Sequence, residues 1–165
     1  RKTVKRNCSL LLVVLMLAAF GATGADAAGV ELTTTAEVEI VSENPDGTIS
    51  VSREAATTVV PGDEVVYTMH YRNAAGETAE EVVITNPIPE HMTLMRTGDL
   101  APDLALTFSV DGGRSFGALA ELQVIGADGR PRPASAADCT HLRWSFRRPL
   151  APGEEGRLDY VAQLQ

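Results

Sequence analysis

Two residues in the C-terminal third of the chain have side chains suited to nucleophilic or metal chemistry. Cys139 and His141 lie two positions apart in CTHLRWSFR, and alternate residues of a β-strand share one face. A thiol beside an imidazole is half of a zinc site or a Cys–His dyad. However, the alternation of Leu142, Trp144 and Phe146 predicts that the opposite face is the core. We therefore interpret Cys139 and His141 as solvent-facing and Trp144 as a central core residue.

A second motif, SVDGGRSF at residues 109–116, fits the Asp-box pattern S-x-D-x-G-x-[ST]-[FW]. It resembles the boxes of sialidase-like propellers, which are structural, so Asp111 and Ser115 are expected to fix a β-hairpin turn above Phe116. One copy in a chain of this size cannot build a propeller. Calcium at Asp111 is the alternative, although no neighbouring run supplies the roughly six oxygen ligands that Ca²⁺ takes. The motif predicts a plain hairpin turn.

Three pairs of adjacent acids raise the possibility of glycoside hydrolysis: Asp63 with Glu64, Glu80 with Glu81, and Glu154 with Glu155. Paired catalytic carboxylates need separate environments that push their pKa values apart, whereas adjacent acids at the starts of turns are usually solvated. The motif H-E-x-x-H and a Gly-rich phosphate loop are absent. We therefore predict no catalytic, cofactor-binding or metal-binding residue, and a hydrolase is the weakest alternative.

The segment 1–27 is typical of a secretory signal peptide. Four basic residues precede an unbroken apolar run at 10–20, and the small-residue site Ala25-Asp26-Ala27 follows. The run is shorter than the roughly 20 residues needed to span a bilayer. We expect cleavage after Ala27, a periplasmic or secreted mature protein, and no membrane insertion after cleavage.

Removal of residues 1–27 changes the charge and the reactive groups of the chain. It takes away four of 14 basic residues and one of 22 acids, which leaves a net charge of −11. Phosphate backbones and anionic lipids bind through Lys and Arg, so nucleic acid and membrane surfaces are poor partners. It also removes both lysines, and with them Schiff-base and P-loop lysine chemistry. Cys139 becomes the only cysteine; a solvent-facing lone thiol in an oxidising compartment predicts partial disulfide-linked dimers.

Short alternating runs bounded by Gly and Pro dominate after residue 28 and predict nine or ten strands in an antiparallel β-sandwich. In one of them Val65, Tyr67, Met69 and Tyr71 share a face. Residues 73–76 predict a hairpin turn to the next strand. Two prolines at 87 and 89 end strand pairing and predict a crossing to the other sheet. Residues 126–138, rich in Gly, Pro, Ala and Asp, predict an exposed loop.

The segment VVPGDEVVYTMHYRNAAGETAEEVVITNPIPEHMTLM resembles bacterial cell-envelope domain of unknown function family eleven, also called the conserved repeat domain. The similar features are the turn Pro61-Gly62-Asp63, the strand containing Tyr67, and the closing segment PLAPGEEGRLDYVAQL. The resemblance covers residues 57–165. It implies an immunoglobulin-like domain there, preceded by N-terminal strands at 28–56 that join the sandwich, and it carries over no catalytic residue.

We expect a non-catalytic structural or adhesion module that pairs a sheet edge or its loops with another envelope protein. The alternative is a carbohydrate- or calcium-binding module that uses the loops around Asp111 and Asp128. The sequence leaves the partner and the oligomeric state open, and it indicates no cofactor.

Overall fold

The computed structural model describes residues 29–44 and 46–165, so the predicted signal peptide lies outside the described residues. This part of the chain is all-β, as predicted. Its elements are the strands β1 Val30–Glu43, β2 Ile49–Ala55, β3 Glu64–Asn73, β4 Val83–Pro87, β5 Met92–Thr97, β6 Leu104–Ser109, β7 Gln123–Ile125, β8 Pro131–Pro133, β9 His141–Phe146 and β10 Glu155–Leu164, and the 3-10 helices η1 Leu119–Glu121 and η2 Ala136–Asp138.

Two antiparallel sheets enclose one apolar core. The larger has the strand order β2-β1-β3-β10-β5 and the smaller β4-β9-β6, while β7 and β8 form a separate two-stranded ribbon. Buried side chains from both sheets form a single hydrophobic cluster. The predicted antiparallel β-sandwich is confirmed. Within residues 29–44 and 46–165, no helix is long and apolar enough to cross a membrane.

The strand β3 is central to the larger sheet. Val65, Tyr67 and Met69 face the core, as their alternation predicts, and the ring of Tyr67 stacks on that of Tyr160 of β10 with centroids 4.9 Å apart. The outward residues Val66 and Thr68 are buried as well. A strand hydrogen-bonded on both sides is covered by its neighbours' side chains, which alternation alone does not reveal.

The strand β9 is the middle of the smaller sheet. Leu142, Trp144 and Phe146 are all buried, with exposed fractions of 0%, 1% and 9%. Register places Trp144 between Ile84 of β4 and Leu106 of β6. The predicted core face of this strand is therefore confirmed.

The chain changes sheet on both sides of β4. The crossing predicted at Pro87 and Pro89 is confirmed, because β4 pairs with β9 in the smaller sheet and β5 pairs with β10 in the larger. The hairpin predicted at residues 73–76 is wrong. Its preceding strand β3 pairs with β1 and β10, and the chain then crosses to the other sheet. Asn73 is fully buried at this crossing, where its side chain bonds loop backbone instead of closing a hairpin.

Residues 126–138 contain more regular structure than the predicted loop. They are mostly exposed, but they include β8, which pairs with β7, and η2. Backbone bonds from Gly126 N to Arg130 O and from Ala134 N to Leu122 O bracket this ribbon, each 2.8 or 2.9 Å long. Hydrogen-bonded pairs alternate along an antiparallel ladder, so these two bonds place Pro131 and Pro133 at positions whose N–H would point away from β7. Proline is tolerated there, which is why composition misled the prediction.

The hairpin of β1 and β2 extends beyond the sandwich. Pairing of β1 with β3 ends at Val38, whereas pairing with β2 continues to Glu43. Every residue of β2 is exposed. We refer to the β1–β2 hairpin, residues 37–55, as the arm.

Candidate functional site

The Asp-box residues form the turn that follows β6. Backbone bonds between Phe108 and Gly117, 2.9 and 3.0 Å long in the two directions, close the hairpin around it. Gly112 and Gly113 both have positive φ, at 77° and 82°. An L side chain rarely adopts such values, whereas glycine does so readily. The hairpin turn that the motif predicts is present.

The Asp111 carboxylate holds this turn together. Its Oδ1 accepts bonds from Ser109 Oγ at 2.7 Å and from the backbone N–H groups of Arg114 and Ser115 at 3.0 Å. Its Oδ2 accepts a bond from Ser115 Oγ at 2.6 Å. The Ser115 hydroxyl first, and then these other donors, hold the pKa of Asp111 well below its usual range. The carboxylate therefore stays ionised as an acceptor for the turn.

The same bonds bear on the calcium alternative. Both oxygens of Asp111 already accept bonds from turn donors, whereas a Ca²⁺ site needs several carboxylate or carbonyl oxygens that converge on one point. Among the residues described, no group of three or more His, Cys, Asp or Glu side chains is placed to hold a metal ion. The geometry is that of a turn.

Phe116, which the motif predicts beneath the turn, is half-buried and makes a cationic contact. The guanidinium carbon of Arg143, on the outward face of β9, lies 3.5 Å from the centroid of the Phe116 ring. Arg143 Nε also donates to Thr85 Oγ1 of β4 at 3.2 Å. This cation–π contact ties the turn to the outer face of the smaller sheet.

The solvent-facing position predicted for Cys139 is wrong. Its side chain is 7% exposed and belongs to the core cluster. The strand β9 begins only at His141, so the alternation does not extend to Cys139, which follows η2. Ser135 and Asp138 form a capping box on η2 that turns the chain and directs the thiol inward. His141 lies on the outward face, as expected, but it is half-buried and not fully exposed to solvent.

The environment of the Cys139 sulfur is unsuited to nucleophilic or metal chemistry. Burial, and then the nearby Asp138 carboxylate, raise the pKa of Cys139 to about 11. The thiol donates to the carbonyl oxygen of Ser135 at 3.7 Å. His141 Nδ1 is instead 3.1 Å from Thr140 Oγ1. A reactive cysteine needs a lowered pKa and access, so the two side chains do not form a working dyad.

We expect native Cys139 to react with a soluble thiol reagent at least about tenfold more slowly than in denaturant, because only a local opening exposes it. The time course of labelling under both conditions measures this. In a matched control, the double variant Cys139→Ser, Ser50→Cys carries its thiol on exposed β2 and should label rapidly. Equal rates for the wild type in both conditions, or disulfide-linked wild-type dimers, would contradict the buried position.

Two of the three acidic pairs contribute a residue that stabilises a turn. Asp63 Oδ2 accepts the N–H of Val60 at 2.9 Å. Glu154 accepts the N–H of Ala151 at 2.9 Å and is ion-paired with Arg148, which lowers the pKa of Glu154. These contacts support the solvated, structural interpretation of the pairs.

Strand register creates a polar surface that sequence reasoning missed. The outward residues of β1, β3 and β10 line an open, shallow depression. Cross-strand rows run from Glu31 through Arg72 to Glu155 and from Thr33 through His70 to Arg157. The alternation of His70 and Arg72 was visible in the sequence, but their partners depend on pairing between distant strands. The depression is open and not enclosed, and its acidic and basic side chains are available for a polar contact.

No protein-family model, no curated protein and no solved structure matches this chain. Fold and geometry together define an antiparallel β-sandwich in which Cys139 belongs to the core and the carboxylates of Asp111 and Glu154 stabilise turns.

Proposed function

We propose that this protein is a non-catalytic structural or adhesion module of the bacterial cell envelope, exported to the periplasm or beyond, with an immunoglobulin-like domain of the conserved-repeat type. The observation that carries the proposal is that polar side chains of this protein hydrogen-bond the backbone of its loops. Asp111, Glu154 and Asn73 are all bound to loop backbone. A catalytic group needs to be free to contact a substrate, whereas these groups rigidify the loops of a scaffold.

The exposed apolar residues indicate where such a module makes contacts. Ile49 and Val51 of β2 are 63% and 60% exposed, and Ile125 of the β7–β8 ribbon is 68% exposed. Sheet edges and projecting ribbons are the usual elements for strand addition and loop recognition. The net charge of −11 after residue 27 favours a protein partner over nucleic acid or anionic lipid.

Photo-cross-linking in the cell that makes the protein tests this proposal. A photoreactive residue is placed in separate variants at exposed Ser50 on the arm and at exposed Arg130 on the β7–β8 ribbon. We expect the protein to fractionate outside the cytoplasm, and a discrete adduct of higher mass from at least one position after irradiation. Unirradiated cells are the control. Recovery from the cytoplasm, or no adduct from either position, would contradict the proposal.

A further inference from the structure

The outer side of β2 presents a regular row of free backbone groups. Ala56 N bonds Ala36 O at 2.9 Å, and Asn44 N bonds Thr48 O at 2.8 Å. Since hydrogen-bonded pairs alternate along an antiparallel ladder, the even-numbered residues of β2 bond β1. The odd-numbered residues point their N–H and C=O groups away from β1: Ile49, Val51, Arg53 and Ala55. Of these groups, the C=O of Ala55 already accepts the N–H of Thr57 at 2.8 Å, so the free row runs from Ile49 to Arg53. In strand order β2 is an edge, and no other strand of the described residues pairs with that side.

This edge has few of the devices that protect exposed edges. Natural edges are protected by proline, by lysine and other charged side chains, or by a bulge; the charged residues of β2 are Arg53 and Glu54, at its C-terminal end. Residues 49–55 contain neither proline nor lysine, and their pairing with β1 runs without a register shift. Beyond Val38 the arm is two-stranded, and such ribbons are marginal until a third strand joins them. The arm therefore has an open edge at which one more strand can pair.

The two faces of the arm define the chemistry of that strand. Ile49 and Val51 lie on one face and are largely exposed. Ser50, Ser52 and Glu54 lie on the other, by the alternation of a strand. Residues 37–55 carry five carboxylates and Arg53 as their one basic residue, a net charge of −4. Arg53 is paired with Glu39 at 2.9 Å. A second acidic arm would be repelled, whereas a basic strand is complementary.

We infer that the free edge of β2 binds one extended strand of a partner polypeptide, antiparallel, with branched apolar residues against Ile49 and Val51 and a basic residue opposite Glu54. This inference rests on the proposed interaction function and assigns it a surface. Three residues of β2, namely Ile49, Val51 and Arg53, bond the incoming backbone, and the side chains on the two faces select an alternating apolar and basic sequence.

A short synthetic peptide that alternates valine and arginine is the probe, labelled for fluorescence anisotropy. Its matched control has the same charge but carries a methyl group on the backbone nitrogen of each valine. The valines are the residues whose N–H groups pair with the free groups of β2, so methylation removes those hydrogen bonds. We expect the control to bind at least about tenfold more weakly, a difference of about 1.4 kcal/mol. Equal binding of both peptides would show attraction by charge alone and overturn the inference, as would no binding of either.

Variants of the protein locate the contact. Val51→Pro removes an outward N–H without breaking a bond to β1, so we expect at least about tenfold weaker binding with an unchanged unfolding midpoint. Glu54→Gln should weaken binding, and Glu121→Gln, at an exposed acid on η1, should leave it unchanged. Full binding by Val51→Pro would overturn the inference.

Sedimentation of the protein without peptide tests whether a second copy of the chain pairs with the edge of β2. A dimer of the wild type that Val51→Pro dissociates would assign the edge to a second copy and overturn the basic-partner inference. Adducts from position 130 together with no peptide binding at β2 would overturn this inference while leaving the proposed function in place.

Discussion

Replacing Trp144 with alanine is expected to lower the free energy of unfolding by about 3–5 kcal/mol, as large-to-small core substitutions do. The indole is 1% exposed and lies on the middle strand of the smaller sheet. Ile84 and Leu106 on the flanking strands hold fixed hydrogen-bonded registers, so they cannot collapse fully into the space. Denaturant unfolding followed by far-UV circular dichroism measures the change, since the variant has no tryptophan fluorescence.

Two variants on the same strand serve as controls for Trp144. Ser145 is an outward, half-buried residue of β9. Its replacement by alanine should alter stability by about 0.5 kcal/mol or less, as surface substitutions do. Trp144→Phe keeps most of the apolar volume and should cost less than alanine. A loss below about 1 kcal/mol for Trp144→Ala would contradict the central position of the indole, because cavities in a packed core cost more than that.

Replacing Asn73 with alanine is expected to cost about 2–3 kcal/mol, because a buried acceptor that loses its donor retains the penalty of desolvation. Asn73 Nδ2 donates to Leu150 O and Glu77 O, each at 2.9 Å, and Oδ1 accepts the N–H of Ala75 at 3.0 Å. The side chain thus joins the crossing after β3 to the segment before β10. Chemical denaturation of the variant and the wild type measures the loss.

Asn73→Asp distinguishes lost hydrogen bonds from lost volume. The substitution keeps the shape and the acceptor, but it removes both donors and places a negative charge beside two carbonyl oxygens. We expect it to be at least as destabilising as alanine. The control is alanine at Asn44, an exposed residue of the arm. This exposed substitution should leave the unfolding midpoint close to that of the wild type. Equal stability of Asn73→Asp and the wild type would refute the role of the amide.

Local patterns predicted the parts of this fold that depend on neighbouring residues. Alternation identified the core face of β9. The two prolines at 87 and 89 predicted the change of sheet, because each proline lacks a backbone N–H and so ends strand pairing at its own position. The Asp box predicted its turn because Asp111 and Ser115 are only four positions apart. The patterns failed where regular structure begins or ends. Cys139 was assigned to a strand that starts two residues later, and residues 126–138 concealed a paired strand.

The sequence by itself determined an acidic, all-β sandwich, the inward direction of Trp144 and the structural character of the Asp-box turn. Only the tertiary structure decided which strands pair, and with that the crossing at Asn73, the polar rows on β3 and the free edge of β2. The physical reason is the range of the interactions. Alternation and turn geometry are set between near neighbours in the chain, whereas the pairing of β3 with β10 joins segments far apart in sequence through packing that no local pattern encodes.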